Sequence, residues 1–297
     1  MVDSILKPVN EKYNRLHELG EGTFGKVYLA QNIIDKCNYA LKIQKKYLDE
    51  EIMLNSNQQF SSEVVFLEQH HHPFIIKYIE SFQYYDRKQN FNPWCIVYEQ
   101  ADPRNLFDMV KVSNKGIPEE QALTWFTQIC LALSYMHESG HMHRDIKLSN
   151  ILLVVQEDYL VAKIADFGSI KQDQESQENT INIGTKRFFS PERVGQDYTS
   201  KVDVWAMGIL LYFMLTNQHP FPDIEREDYV EKLIDCELVC RKTISKPFQE
   251  LIQWLLEKDP IKRPDMRQVL RNPLVKERIE IIKQDISNEE HTTTIAK

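Results

Sequence analysis

The sequence predicts an α+β fold in two lobes, a small and mostly antiparallel β-sheet carrying one key helix, followed by a larger and mainly helical part. Three observations predict it. Residues 13–45 alternate, are rich in Tyr, Val, Ile and Leu, and are broken by glycine and by polar turns such as Asp35-Lys36, as half-buried strands are. From Pro118 onward the apolar positions recur at helical spacing. At 297 residues the chain has room for about two such units of ~150 residues each.

Composition narrows the class. With 42% hydrophobic and 27% charged residues, most of the chain belongs among globular sequences. A net charge of -8 and the lack of a basic stripe argue against capture of nucleic acid or an anionic membrane. The cysteines (Cys37, Cys95, Cys130, Cys236, Cys240) are odd in number and sit mostly among apolar residues, as reduced intracellular thiols do; Cys236 and Cys240 lack further ligands for zinc. The first residues have no apolar core of signal-peptide length, and Val2 stands where myristoylation needs glycine. The longest apolar run, 204–215, falls short of the ~20 residues that span a bilayer, so membrane insertion is not expected.

In the first lobe, Gly20-Glu21-Gly22-Thr23-Phe24-Gly25-Lys26-Val27 has the G-x-G-x-x-G-x-V spacing, which lets backbone N–H groups close over phosphates. Alone, it reads equally as a tight glycine turn. A dinucleotide site would need a helix after the third glycine, whereas Lys26-Val27-Tyr28-Leu29-Ala30 continues as a strand, so a hairpin lid fits better. Tyr39-Ala40-Leu41-Lys42-Ile43 places one lysine in an apolar strand, where an unpaired ammonium is costly. Its partner should come from a helix near 59–69, where Val64, Phe66 and Leu67 supply apolar contacts and Glu63 and Glu68 are both candidates. His70-His71-His72 before Pro73 reads as a polar turn rather than a metal site. Strands are expected over 75–82 and 94–98. Glu99-Gln100-Ala101-Asp102-Pro103 then forms the boundary between lobes, where adenine could bind through backbone groups.

In the second lobe, Pro118-Glu119-Glu120 makes a good first helical turn, and Leu123, Phe126, Ile129, Cys130, Leu133 and Met136 form its core stripe. The densest chemistry follows. His143-Arg144-Asp145-Ile146-Lys147-Leu148-Ser149-Asn150 and, a hairpin later, Asp166-Phe167-Gly168 gather two carboxylates, an amide and a lysine. Asp145 can orient a substrate hydroxyl, Lys147 can offset charge on a transferring phosphoryl group, and Asn150 and Asp166 can hold Mg²⁺. Either motif alone is a loop aspartate; both, in order and with Asn150 five positions after Asp145, point to phosphoryl transfer. The apolar segment 204–215 should be the central helix, with further helices through Trp254 and Leu255-Leu256. After Lys276 the chain is polar, with Ile279, Ile281, Ile282 and Ile286 at roughly helical spacing; a short docked helix and an unstructured end through 291–294 are expected.

On these motifs the sequence resembles the eukaryotic protein kinases over residues 13–274. Ser190-Pro191-Glu192 is similar to the family's A-P-E element, Asp203-Val204-Trp205-Ala206-Met207-Gly208 to its D-x-W-x-x-G helix start, and Arg263 to the arginine that pairs with Glu192. Lys147 and Gly184-Thr185 resemble the serine/threonine class, and 118–133 and 187–192 most resemble the NIMA-related kinases. The resemblance implies a kinase domain over 13–275, with a small lobe of about 13–99 and a large one of about 103–275, between an extension (1–12) and a polar tail (276–297). It implies ATP- and Mg²⁺-dependent transfer of the γ-phosphate to serine and threonine of protein substrates.

By the same resemblance, ATP lies against Gly20, Glu21, Gly22, Gly25, Val27, Ala40, Lys42, Glu99, Ala101 and Leu152. Lys42, Glu63, Asp145 and Lys147 are the catalytic set, Glu63 being preferred because it stands ten residues before Pro73, and Asn150 and Asp166 ligate the metal. Arg144, helped by Lys171, would bind a phosphate on Thr180, and Thr185 would bond toward Asp145 and Lys147. Tyr98 stands at the gate of the adenine pocket and implies a narrow rear cavity. Several positions depart from the family pattern: Leu148 for Pro, Phe188 for Tyr, Lys186 for Pro, Asn105 for an acidic ribose contact, and Ser149 for a Glu that binds arginine in substrates. The alternatives are a pseudokinase scaffold, against which Lys42, Glu63, Asp145, Asn150 and Asp166 all stand, and an enzyme for small-molecule hydroxyls, against which 184–192 stands. An intracellular, cytoplasmic setting is expected, and the subfamily implies cytoskeletal or ciliary association.

Overall fold

The computed structural model describes residues 9, 11–102, 104–156, 159–172, 186–194, 198–221, 232–233, 235–238 and 241–295. Five strands, β1 (Tyr13–Glu21), β2 (Gly25–Asn32), β3 (Asn38–Gln44), β4 (Tyr78–Gln83) and β5 (Trp94–Glu99), form an antiparallel sheet in the order β1-β2-β3-β5-β4. Alternation sorts their side chains. Leu41 and Ile43 join Cys95 and Val97 on the outer face, where Val9, Tyr13 and Ala30 complete a small core. Ala40, Lys42 and Gln44, with Ile96 and Tyr98, take the other face, under the helix α1 (Glu50–Gln69).

Helix α1 begins nine residues before the expected 59. Asp49 caps it, its carboxylate accepting from Ile52 N at 3.0 Å, and Glu50 and Glu51 face the positive end of the helix dipole. Ile52 and Leu54 are exposed, so the first turns show no apolar period in the sequence. The buried stripe starts at Ser56 and Phe60 and runs through Glu63, Val64, Phe66 and Leu67, which places an acid among apolar neighbours facing the sheet. Buried Gln44 donates to Ser56 Oγ at 2.9 Å and Asn57 Oδ1 at 2.8 Å and accepts from Trp94 N at 3.2 Å, fastening the helix to the sheet.

Strand β4 starts at Tyr78 instead of the expected 75, because the preceding residues leave the sheet to reach the other lobe. Ile76 N donates to Ile164 O and Ile164 N to Phe74 O, both at 2.9 Å. A second tie, Asp102 N to Leu153 O at 2.7 Å, follows the connection between lobes. These bonds end on the hairpin of β7 (Ile151–Gln156) and β8 (Tyr159–Ile164), which leads directly to Asp166.

The second lobe is built on α2 (Leu106–Ser113), α3 (Glu119–Glu138), α4 (Lys201–Thr216), α5 (Lys246–Leu255), α6 (Met266–Leu270) and α7 (Pro273–Ile295), with a short pair β6 (His141–Met142) and β9 (Lys171–Gln172). Nearly every side chain of α4 is buried, at about 1.5–3 kcal/mol for each large apolar residue. Gly116, at φ +94°, lets the connection before α3 touch α4: a Cβ there would collide with the Leu215 carbonyl, and neighbouring Ile117 N donates to Met214 O at 2.7 Å. Arg263, fully buried, meets both oxygens of Glu192 at 2.6 and 3.0 Å and lies over the Trp205 ring. Helix α7 extends through 291–294, beyond the short helix expected. Val275 and Ile282, seven residues apart, are buried, and Arg278 meets Glu120 of α3 at 3.5 Å; once nucleated there, further helical turns are cheap.

Candidate active site

The site is assembled from backbone anchors first. Asp203, at the start of α4 and 1% exposed, accepts from His143 N at 2.9 Å, Arg144 N at 2.8 Å and His137 Nε2 at 2.9 Å. Burial alone would raise its carboxyl, but the bonds from His137 and from the His143 backbone bring it below the usual range. Arg144 is held at φ 65°, a left-handed conformation that a branched-free but bulky side chain adopts only when its peptides are tied down. Its carbonyl accepts from Arg193 Nη1 at 2.6 Å. His143 accepts from Asp145 N at Nδ1 (3.3 Å) and donates from Nε2 to Ala165 O (3.2 Å), linking the loop that carries Asp145 to the residue before Asp166.

On this frame Asp145 Oδ2 accepts from Lys147 Nζ at 2.6 Å and from Asn150 Nδ2 at 3.0 Å, and the same amide donates to Asp145 O at 2.8 Å. Across the cleft, Asp166 stands at φ 63°, ψ 75°, a left-handed turn that sends neighbouring Phe167 into the core. The Phe167 ring packs on Phe66 of α1 (centroids 5.0 Å apart) and on His143 (5.3 Å), while the Asp166 side chain remains half-exposed. Asp166 Oδ1 meets Lys42 Nζ at 3.1 Å. Lys42 Nζ also donates to Glu63 Oε2 at 2.7 Å, so it is Glu63, not Glu68, that reaches the strand lysine; Glu68 accepts from Tyr78 Oη at 3.0 Å. Burial would lower the Lys42 ammonium, but the Asp166 and Glu63 carboxylates outweigh it and raise its pKa; Lys42 in turn holds the Asp166 carboxyl below the ordinary range, with smaller help from Lys147 and His143.

The glycine turn lies over this cleft. Gly22 N donates to Gly25 O at 2.8 Å, Lys45 Nζ to Gly22 O at 2.7 Å, and Tyr47 Oη to Thr23 O. Glu21 pairs with Lys45 at 2.5 Å and Lys26 at 3.2 Å. Gly25 sits where a Cβ would be 3.0 Å from the Phe60 ring and 3.1 Å from Ile43 O, a close approach that favours glycine because a larger residue would push these neighbours back by a few tenths of an ångström. Val27, Ala40, Ala101 and Leu152 are partly buried. Glu99 turns its carboxylate away, to Lys163 Nζ at 2.7 Å and Lys77 N at 2.8 Å, and its N–H to Lys77 O; its backbone carbonyl is what remains for an adenine. Asn105, at the expected ribose position, is instead the N-cap of α2 in a reciprocal capping box with Asp108.

The donor set fits Mg²⁺. The amide nitrogen of Asn150 is committed to Asp145, which leaves its carbonyl oxygen, and Asp166 offers a half-exposed carboxylate, so the donors are hard oxygens. Among the described residues no three His, Cys, Asp or Glu gather into a cage, and Mg²⁺ held by one or two protein oxygens together with substrate phosphates needs none. Arg144 is 5% exposed and donates from Nε to Ser169 O at 2.7 Å. The remaining regulatory expectations, Thr180, Thr185 and the side chain of Lys171, lie outside the described residues.

Four side chains at the site were not assigned these contacts from the sequence. Tyr98 Oη donates to Glu63 Oε1 at 2.6 Å, a contact whose only sequence signal is the shared strand face of Tyr98 and Lys42. Lys45 and Tyr47 on the glycine turn carry no signal beyond following β3. Arg193 stands 49 residues from the Arg144 carbonyl it meets, a distance no local pattern reports.

Residues 13–275 match the family model described as the protein kinase domain. Similar proteins include the serine/threonine-protein kinase Nek5 of Homo sapiens, 30% identical over 94% of this chain and 39% of its own length. The serine/threonine-protein kinase Nek1 of Mus musculus is 32% identical over 91% of this chain and 22% of its own, and the protein kinase C-like 2 of Schizosaccharomyces pombe 32% identical over 85% and 24%. The chain thus spans well under half the length of each of these relatives.

Proposed function

Because this chain belongs to the protein kinase domain family, we propose that it transfers the γ-phosphate of Mg·ATP to serine or threonine hydroxyls of protein substrates. The observation that carries this reading is the chain of charges Glu63–Lys42–Asp166 at 2.7 and 3.1 Å, set across the cleft from Asp145, Lys147 and Asn150. A structural protein would have no use for a half-exposed carboxylate fixed in a left-handed turn beside a lysine held by two acids.

In this reading Lys42, oriented by Glu63, binds the α- and β-phosphates. Asp145 receives the attacking hydroxyl and orients or takes its proton, while Lys147 offsets negative charge on the moving phosphoryl group. Asn150 and Asp166 would hold Mg²⁺, which supplies charge neutralisation at the phosphate oxygens. Catalysis of this kind is positioning plus electrostatic stabilisation, which is why so much of the site is devoted to fixing backbone and side-chain angles. The domain would extend over 13–275, followed by the polar tail. The free thiols Cys37, Cys95, Cys130 and Cys236 support an intracellular, cytoplasmic setting.

A substrate panel tests the reading. Incubation with Mg·ATP, generic protein substrates and small hydroxyl compounds should label protein serine and threonine. Labelling of small molecules alone, or tight ATP binding with no turnover, would contradict it.

A further inference from the structure

Glu63 is 1% exposed, and each of its carboxylate oxygens has a donor: Lys42 Nζ at Oε2, and Tyr98 Oη at Oε1, with Phe167 N more distant at 3.4 Å. Tyr98 is 7% exposed and comes from β5, opposite Ala40 of β3. In antiparallel register Ala40 and Lys42 share a face, so the tyrosine and the lysine reach the same acid from neighbouring strands. Burial and the Glu63 carboxylate both raise the phenol's pKa, which keeps Tyr98 a donor at neutral pH.

We propose that Tyr98 is a positioning residue for phosphoryl transfer: its hydroxyl holds Glu63 from the sheet side and thereby keeps Lys42 aimed at the nucleotide. The proposal rests on the kinase reading above and adds to it a residue that touches no reacting atom. Its physical basis is an asymmetry. An outward swing of α1 that carried Glu63 away would strip the ammonium of one partner and leave a phenol hydroxyl buried without an acceptor, and a buried donor left unmade is more costly than the net gain from making the bond. The inward position of α1 is therefore favoured by the sheet itself. Gln44, bonded to Ser56 and Asn57, does the same for the helix one to two turns earlier.

Tyr98→Phe keeps the ring and removes the one oxygen, so it leaves packing intact. Turnover should fall about tenfold, equivalent to ~1.4 kcal/mol of lost positioning. The discriminating measurement is a double-mutant cycle with Glu63→Gln: if Tyr98 acts through Glu63, Tyr98→Phe should produce less than about a twofold further loss in the Glu63→Gln background. Equal losses in both backgrounds, or wild-type turnover in Tyr98→Phe, would overturn the proposal. Hydrogen exchange reads the same contact without chemistry. Amides at 60–67 of α1 should exchange about tenfold faster in Tyr98→Phe than in wild type, and unchanged exchange would overturn the proposal whatever the turnover. Faster exchange in Tyr98→Phe alongside a wild type that transfers no phosphate would instead refute the kinase reading and leave the Tyr98–Glu63 contact standing.

Discussion

Asp203→Asn isolates the role of the backbone anchors, because it preserves shape and removes only a charge and one acceptor. In the wild type Oδ1 serves Arg144 N, and Oδ2 serves both His143 N and His137 Nε2, all within 2.9 Å. An asparagine must turn its NH₂ toward one of these sets, so at least one buried backbone N–H faces a donor. An unsatisfied buried group costs about 1–3 kcal/mol, and the surviving bonds lose the charge assistance that roughly doubles their strength, so a total near 3 kcal/mol is expected. For a domain of this size that corresponds to a fall in Tm of about 6–12 °C. The functional consequence is larger than a stability loss alone would give. Arg144 holds its left-handed backbone, strained by about 1–2 kcal/mol, through those N–H bonds and the Arg193 contact, and Asp145 is the next residue. Relaxation of Arg144 should displace the Asp145 carboxylate and lower kcat at least about tenfold at temperatures where the variant is folded. Calorimetry and steady-state phosphate transfer on the same preparation measure both. A Tm within about 2 °C of wild type together with kcat within about twofold would refute the reasoning.

Three further outcomes follow from other contacts. Glu192→Ala strands the Arg263 guanidinium, fully buried, with only carbonyl acceptors at Lys201, Glu257 and Lys258, and should cost about 3–5 kcal/mol, seen as a Tm lower by roughly 10 °C. Burial pushes His219 down to about 4 and His72 likewise to about 4, whereas an unfolded histidine titrates near 6.5. Between these values the unfolded chain binds protons that the folded chain does not, so stability is full above pH ~6.5 and falls toward pH ~4 by up to about 1.4 kcal/mol per pH unit for each. Denaturant titrations across that window should show the slope reduced by one proton in His219→Gln; an unchanged slope would remove His219 from the account. Thr180→Ala should lower activity several-fold, and equal turnover by a dephosphorylated wild-type sample would show that Thr180 carries no regulatory phosphate.

The sequence made legible what depends on short spacing. Asp145, Lys147 and Asn150 lie within six residues, and the loop that contains them can be read directly as a unit, as can the hairpin distance to Asp166. The strand lysine was legible from its cost, since Lys42 among apolar neighbours required a partner; the preference for Glu63 over Glu68 rested on the family spacing to Pro73, and the helix phase that brings Glu63 to Lys42 is supplied by packing. The first nine residues of α1 were not legible, because Ile52 and Leu54 point to solvent and leave no apolar period, with only the Asp49 cap to announce the start. The departure of Phe74, Ile75 and Ile76 from the sheet was hidden for a related reason: their apolar run suits a strand, and its partner, Ile164, lies in the other lobe. Contacts between distant segments were the least accessible. Tyr98 was read only from its place at the expected adenine gate, and its bond to Glu63 depends on the β3–β5 register. Glu99 was read as offering backbone groups to adenine, and no local pattern reports that its carboxylate pairs with Lys163, 64 residues away.

The most direct test of the central claim follows labelled γ-phosphate from Mg·ATP to a generic protein substrate and to the protein itself, for wild type, Asp145→Asn and Asp166→Asn side by side. The account predicts label on serine or threonine with the wild type, and a loss of at least about a hundredfold in each variant while both remain folded, since Asp145→Asn removes the carboxylate that orients the attacking hydroxyl and Asp166→Asn the carboxylate that would hold Mg²⁺ at the phosphates. A folded wild type, phosphorylated on Thr180 and binding ATP, that transfers no phosphate would contradict it, as would transfer at wild-type rate by Asp166→Asn.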